Sequence, residues 1–202
     1  MAFIETVATE DSSGMVREMY LRQQQPWGVV PNYAKVFCHR PQVMQAWADL
    51  QRTIAQSVDA ATFQLVTLAA SQALGSSYCS LAFGSKLSEG EFSREQLEDI
   101  VSNDNSPHLN ELQQACMTMA RKVARNSNAV CQQDIDHLRE LGMEDATIFD
   151  IIAIASARCF FATLVNSLGA QPDSHFQEMT PSLRDLLCVG RAISSAEAQR
   201  LE

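Results

Sequence analysis

At 202 residues, 46% hydrophobic and 19% charged, the chain is long enough to bury a sizeable core and has the composition of an ordinary globular protein. A net charge of −9, with no basic stripe to neutralise phosphates, argues against nucleic acid as a partner. The opening Met1-Ala2-Phe3-Ile4-Glu5 lacks the basic start and long apolar run of a signal peptide. The longest apolar run, Ile148 to Leu168, is interrupted by Asp150, Arg158 and Asn166 and reads as a buried core helix, so a cytoplasmic protein without membrane contact is expected.

In chain order the sequence reads as helix after helix, with no convincing period-two alternation. Asp11-Ser12-Ser13 caps a helix from Ser12 to Gln24, and residues 26–31 form an extended connector before a short helix from Asn32 to His39. Pro41 occupies the first turn of the next helix, where Val43, Trp47, Leu50 and Ile54 recur at helical spacing. Asp59 caps an apolar helix through Phe63, Leu65, Val66, Leu68 and Ala69 that ends near Gly75. The helix carrying Cys79 follows and stops around Gly90. Ser93 opens another, which ends at Ser102-Asn103-Asp104-Asn105. Pro107 is the expected start of a long helix with Leu109, Leu112, Cys116, Met119 and Val123 on its apolar face. Helices from Gln132 to Leu141 and from Asp145 to Leu168 close on Gly142 and Gly169, and Pro181 begins a last short one.

The expected fold class is therefore all-α, a single domain over residues 1–202. It divides into an N-terminal arm (1–40), a core half (41–104), a second helical half (105–180) and a C-terminal tail (181–202). A weak echo between Phe63-to-Ala70 and Leu112-to-Ala120 suggests two structurally related halves.

Six cysteines (Cys38, Cys79, Cys116, Cys131, Cys159 and Cys188) are scattered without a C-x-x-C, which suits reduced thiols rather than a disulfide framework. Cys116 and Cys159 sit in apolar helical patterns and read as small core residues. Cys79 differs. It follows a Gly75-Ser76-Ser77 break and falls in the first turn of a helix, where unpaired backbone N–H groups and the helix dipole favour a thiolate. Other polar pairs are weaker signals. Asp134 with His137, and Asp104 with His108, share helix faces but have no third ligand, so no metal is expected. Asp173-Ser174-His175 is a loop without a nucleophile motif.

Several stretches resemble one family. Pro31-Asn32-Tyr33 leading to His39-Arg40-Pro41 and Ala46-Trp47, then Phe63 to Ala82, Ala120 to Val123, Asp134 to Gly142 and Ala162 to Gly169 are similar to the alkylhydroperoxidase D-like, carboxymuconolactone decarboxylase superfamily, peroxidase-related branch. The resemblance covers most of the chain. It implies a multi-helix fold, thiol peroxidase chemistry without a cofactor, and homo-oligomers, commonly trimers or hexamers. The family's site is a glutamate, eleven residues, C-x-x-C, three residues and a histidine. Those positions hold Gln64, Ser76, Cys79 and Phe83 here, so only the peroxide-attacking cysteine is retained. Ser76 cannot form the resolving disulfide, Gln64 has no proton to relay near neutral pH, and Phe83 removes the base and makes the surroundings more apolar.

Two classes of function follow. In one, Cys79 reduces peroxides with the helix N-terminus and Ser76 or Ser77 stabilising its thiolate, and an external thiol recycles it. In the other, the protein is a catalytically inactive oligomeric scaffold, or binds a small molecule in a site lined by Tyr78 and Phe83. His39 is a candidate to replace the lost histidine from a neighbouring helix.

Overall fold

The computed structural model describes residues 2–195, and no strand occurs among them. Ten α-helices follow one another: α1 (Gly14–Gln24), α2 (Asn32–Val36), α3 (Pro41–Ala55), α4 (Ala60–Ala73), α5 (Ser77–Gly90), α6 (Arg94–Ser102), α7 (Glu111–Asn126), α8 (Gln132–Glu140), α9 (Asp145–Ser167) and α10 (Pro181–Leu187). The end of the expected C-terminal tail, residues 196–202, lies outside the described residues.

The helix ends follow local chemistry. Asp59 accepts a hydrogen bond from the Thr62 N–H at the start of α4, and Ser93 forms a reciprocal capping box with Gln96 on α6. Pro41 sits in the first turn of α3, where a missing N–H costs nothing. The expected start at Pro107 is corrected. Asn110 and Gln113 form a capping box, so α7 begins at Glu111 and Pro107 lies in the preceding turn. Reciprocal capping satisfies two orphan N–H groups, which the proline's fixed φ alone does not.

Helix α4 is the central post. Leu65 through Ser71 are all buried, so it is enclosed on every side, by α5, α7 and α9. Its two hydroxyls bond back into the helix, Thr67 to the Phe63 carbonyl at 2.7 Å and Ser71 to the Thr67 carbonyl at 2.6 Å. Helix α9 is long and apolar enough to cross a membrane by length and composition, yet half of that stretch is buried against the rest of the protein. Helix α3 packs on α9, α10 packs on α5 and α6, and α1 closes over α2 and α3.

Cys116 on α7 lies in this core, 1% exposed. Burial, and then the nearby Asp59 charge, push its thiol from 9.0 up to about 11. A raised value in the folded state means that the stability this thiol contributes is fully present below pH 9 and lost as pH rises through about 11. The wild type is therefore expected to lose about 2–3 kcal/mol relative to Cys116→Ala over that window, read from urea unfolding at each pH. Parallel curves for the two proteins would show that the buried thiol is not the source. Cys159 departs from its expected core position: it is half-exposed on α9.

Candidate functional site

The backbone around Cys79 is held from both ends of the sequence. Gly75 ends α4 with φ +61°, the left-handed conformation that a glycine adopts without strain. The C-terminal segment crosses this turn so closely that a Cβ on Gly190 would lie 2.0 Å from the Gly75 carbonyl oxygen. The Gly190 N–H donates to the Ser77 hydroxyl at 2.7 Å. Through that bond Ser77 also holds the C-terminal segment against the start of α5. Ser76 is the residue before α5, fully buried, and its hydroxyl neither caps the helix nor has a partner among the described residues.

Cys79, 2% exposed, reaches a cavity of about 350 Å3 between α2, α3, α4, α5 and α9. Periodicity explains the wall. Cys79, Ala82, Phe83 and Lys86 share one face of α5, and Trp47, Gln51 and Ala55 share one face of α3. Arg158 and Phe161, three apart on α9, close the far side. Tyr33, Phe63 and Tyr78 complete the rings, and no other cysteine takes part.

The group facing Cys79 is one the sequence reading treated only as an interruption of an apolar run. Arg158 is 2% exposed, and its Nη1 donates to Cys79 Sγ at 3.4 Å while Nη2 donates to Gln51 Oε1 at 3.1 Å. Its Nε is buried without a partner among the described residues. The guanidinium sits among three rings, 4.8 Å from the Phe83 centroid and 5.3 Å from those of Trp47 and Phe161. Phe161 stacks on Trp47 with centroids 4.1 Å apart, which fixes this cage. Phe83 thus seats a cation beside the thiol. The signal was present in the sequence: an arginine buried in an apolar helix is costly unless its charge is used.

Behind the rings lies a second polar layer. Tyr78 accepts a hydrogen bond from the Tyr33 N–H at 3.3 Å and donates to the Asp173 carboxylate, whose other oxygen accepts the Asn32 N–H at 3.0 Å. Burial raises Asp173 above its ordinary value. Burial, and then the Asp173 charge, push the Tyr78 hydroxyl well above its own. Tyr78 is therefore a neutral donor that positions the cavity wall.

The remaining candidates lie elsewhere. His39 does not line this cavity. It is exposed, its Nε2 lies 2.7 Å from the Glu5 carbonyl oxygen, and it borders a separate apolar groove with Ile4, Val43 and Phe160. The physical reason is its place at the end of a 3-10 turn, Phe37–His39, facing the N-terminal segment. Gln64 is half-buried on α4, its Oε1 without a partner among the described residues, and is not part of the cavity wall. Asp134 accepts from Lys122 and from the Cys131 N–H, and Asp104 pairs with Arg121 at 3.0 Å.

Residues 41–122, which carry Cys79, match the carboxymuconolactone decarboxylase family. No curated protein matches the chain in sequence. Among solved structures, a peroxidase-related protein from Ralstonia eutropha JMP134 with an alkylhydroperoxidase AhpD core is 23% identical. It superposes with a TM-score of 0.76 over 94% of this chain and 98% of its own. A peroxidase-related protein from Silicibacter sp. TM1040 is 18% identical, with a TM-score of 0.70 over 86% and 90% of the two chains. The debrominase Bmp8, solved as a cysteine variant with 2,3,4-tribromopyrrole, is 16% identical with a TM-score of 0.74 over 92% and 100%. The segment 41–122 thus matches the carboxymuconolactone decarboxylase family, and the fold of the chain is that of the AhpD-like, peroxidase-related proteins.

Proposed function

We propose that this protein is a single-cysteine thiol peroxidase in which the Cys79 sulfur attacks an organic hydroperoxide and Arg158 replaces the missing proton-relay residues as electrostatic partner. The observation that carries the reading is the hydrogen bond from Arg158 Nη1 to Cys79 Sγ inside a ring-lined cavity. A charged donor binds a thiolate more strongly than a thiol, and it also favours the negative charge that develops on the departing oxygen.

The chemistry balances without an internal partner. The Cys79 thiolate attacks one peroxide oxygen, an S–O bond forms as the O–O bond breaks, and the leaving alkoxide takes a proton from water. Arginine gives up no proton at any accessible pH, so its role is confined to charge and orientation. The resulting sulfenic acid condenses with an external low-molecular-weight thiol and releases water. A second thiol then exchanges with the mixed disulfide, so two thiols become one disulfide for each peroxide reduced. A compartment that keeps thiols reduced, such as the cytoplasm, suits this cycle.

The walls favour a substrate with an apolar body over hydrogen peroxide itself. Bmp8, with the same fold, was solved with a flat halogenated ring. The exposed Phe149 and Phe160 on α9, 70% and 49% accessible, support a homo-oligomer in which that face is covered.

Stopped-flow consumption of cumene hydroperoxide in the presence of a thiol reductant tests the reading. The wild type is expected to turn over, and Cys79→Ser to fall to the uncatalysed rate. Equal rates in the two proteins would instead favour a non-catalytic scaffold or ligand-binding protein.

A further inference from the structure

The Cys79 cavity holds more donors than the protein uses, and its cations face no carboxylate within the wall. Arg52, Lys86 and Arg158 line it, and no Asp or Glu does. Arg52 is already occupied by Asp49 on the surface, at 2.9 Å. Lys86 makes no ion pair among the described residues. Its ammonium lies 5.2 Å from the Phe83 ring centroid, on the ring that also seats Arg158. Glu89, one turn further along α5, attracts Lys86 but accepts its own hydrogen bond from Ser85 at 2.9 Å. Arg158 Nε, Gln51 Nε2 and Trp47 Nε1 are buried and meet no acceptor among the described residues. Such donors cost free energy unless an acceptor reaches them, and all three belong to residues that line this otherwise largely aromatic cavity.

We propose that this cavity binds a flat organic anion, its ring against the aromatic wall of Phe63 and Phe83, its acceptor oxygens toward Arg158, and its charge balanced by Lys86. As a statement about substrate this rests on the Cys79 reading, and the class it names is an aromatic hydroperoxide carrying a carboxylate. Binding itself requires no thiol. Desolvation, and then repulsion from Arg158, lower the Lys86 ammonium below its ordinary value, a penalty that an anion between the two cations relieves.

Calorimetric titration with benzoate and with its neutral isostere benzamide, at 0.15 M salt, separates this proposal from the thiol chemistry. Benzoate is expected to bind the wild type, and to bind Cys79→Ala at least as tightly, since loss of the sulfur removes no donor and frees Arg158 Nη1. Benzamide, and benzoate on Lys86→Met, are each expected to bind about tenfold more weakly, the effect of one lost charge interaction. No benzoate binding, equal binding of benzamide, or an unchanged affinity in Lys86→Met would overturn the proposal. Benzoate binding with no Cys79-dependent peroxide consumption would remove the peroxidase reading and leave this one standing. The reverse pair of results would remove only this one.

Discussion

Arg158→Met is expected to leave the protein at least as stable as the wild type while cutting Cys79-dependent peroxide reduction about a hundredfold or more. The two halves of that expectation have one cause. The guanidinium is 2% exposed, and its two hydrogen-bond acceptors, a sulfur and an amide oxygen, are not carboxylates. Removing such a cation from water costs several kcal/mol, and the rings of Phe83, Trp47 and Phe161 return about 0.5–2 kcal/mol each as cation–π attraction. A methionine fills much of the same space, packs well against aromatic rings and removes the desolvation cost. Loss of the donor leaves the developing charge at Cys79 without its partner, worth about 2.7–4 kcal/mol in comparable sites. Urea unfolding and peroxide kinetics on the same preparation check both halves. A variant that unfolds more easily would make Arg158 a structural residue, and one that keeps full activity would remove it from the chemistry.

The second large effect is on stability. Asp173→Ala is expected to cost about 2–5 kcal/mol, because it leaves the Tyr78 hydroxyl and the Asn32 N–H buried without their acceptor. Both donors belong to elements that shape the cavity: Tyr78 is in the first turn of α5 beside Cys79, and Asn32 opens α2 next to Tyr33. Asp173→Asn keeps an acceptor oxygen and is expected to lose roughly half as much. The urea midpoint of each variant measures this, and a loss below about 1 kcal/mol for Asp173→Ala would show that the two donors find other partners.

The helices were legible where local chemistry decides them. Asp59 and Ser93 as caps, Pro41 in a first turn, and Gly142 and Gly169 as left-handed stops all carry short-range information, and the fold class follows from their succession. Pro107 misled because the capping box at Asn110 competes with it three residues later and wins. The site was legible only in part. Cys79 and Phe83 stand on one face of α5 and meet the same cavity, as their spacing of four implies.

The partners were not legible, because they come from far along the chain. Arg158 lies 79 residues from Cys79, and Asp173 lies 95 from Tyr78. Periodicity places a residue on a helix face but does not say which other helix that face meets. His39 shows the same limit, since nearness to the family pattern in sequence did not put it near the thiol in space. A charged residue inside the most apolar helix was the one long-range clue available, because burial of a cation without an acid partner demands a use.

Trapping the first chemical intermediate tests the central claim most directly. Wild-type protein is treated with one equivalent of cumene hydroperoxide in the presence of dimedone, which captures sulfenic acids, and the modified cysteine is located by peptide mass spectrometry. One dimedone adduct on Cys79 in the wild type, and little or none in Arg158→Met over the same time, is the predicted result. An unmodified Cys79, or an adduct that appears first on the exposed Cys131, would contradict it.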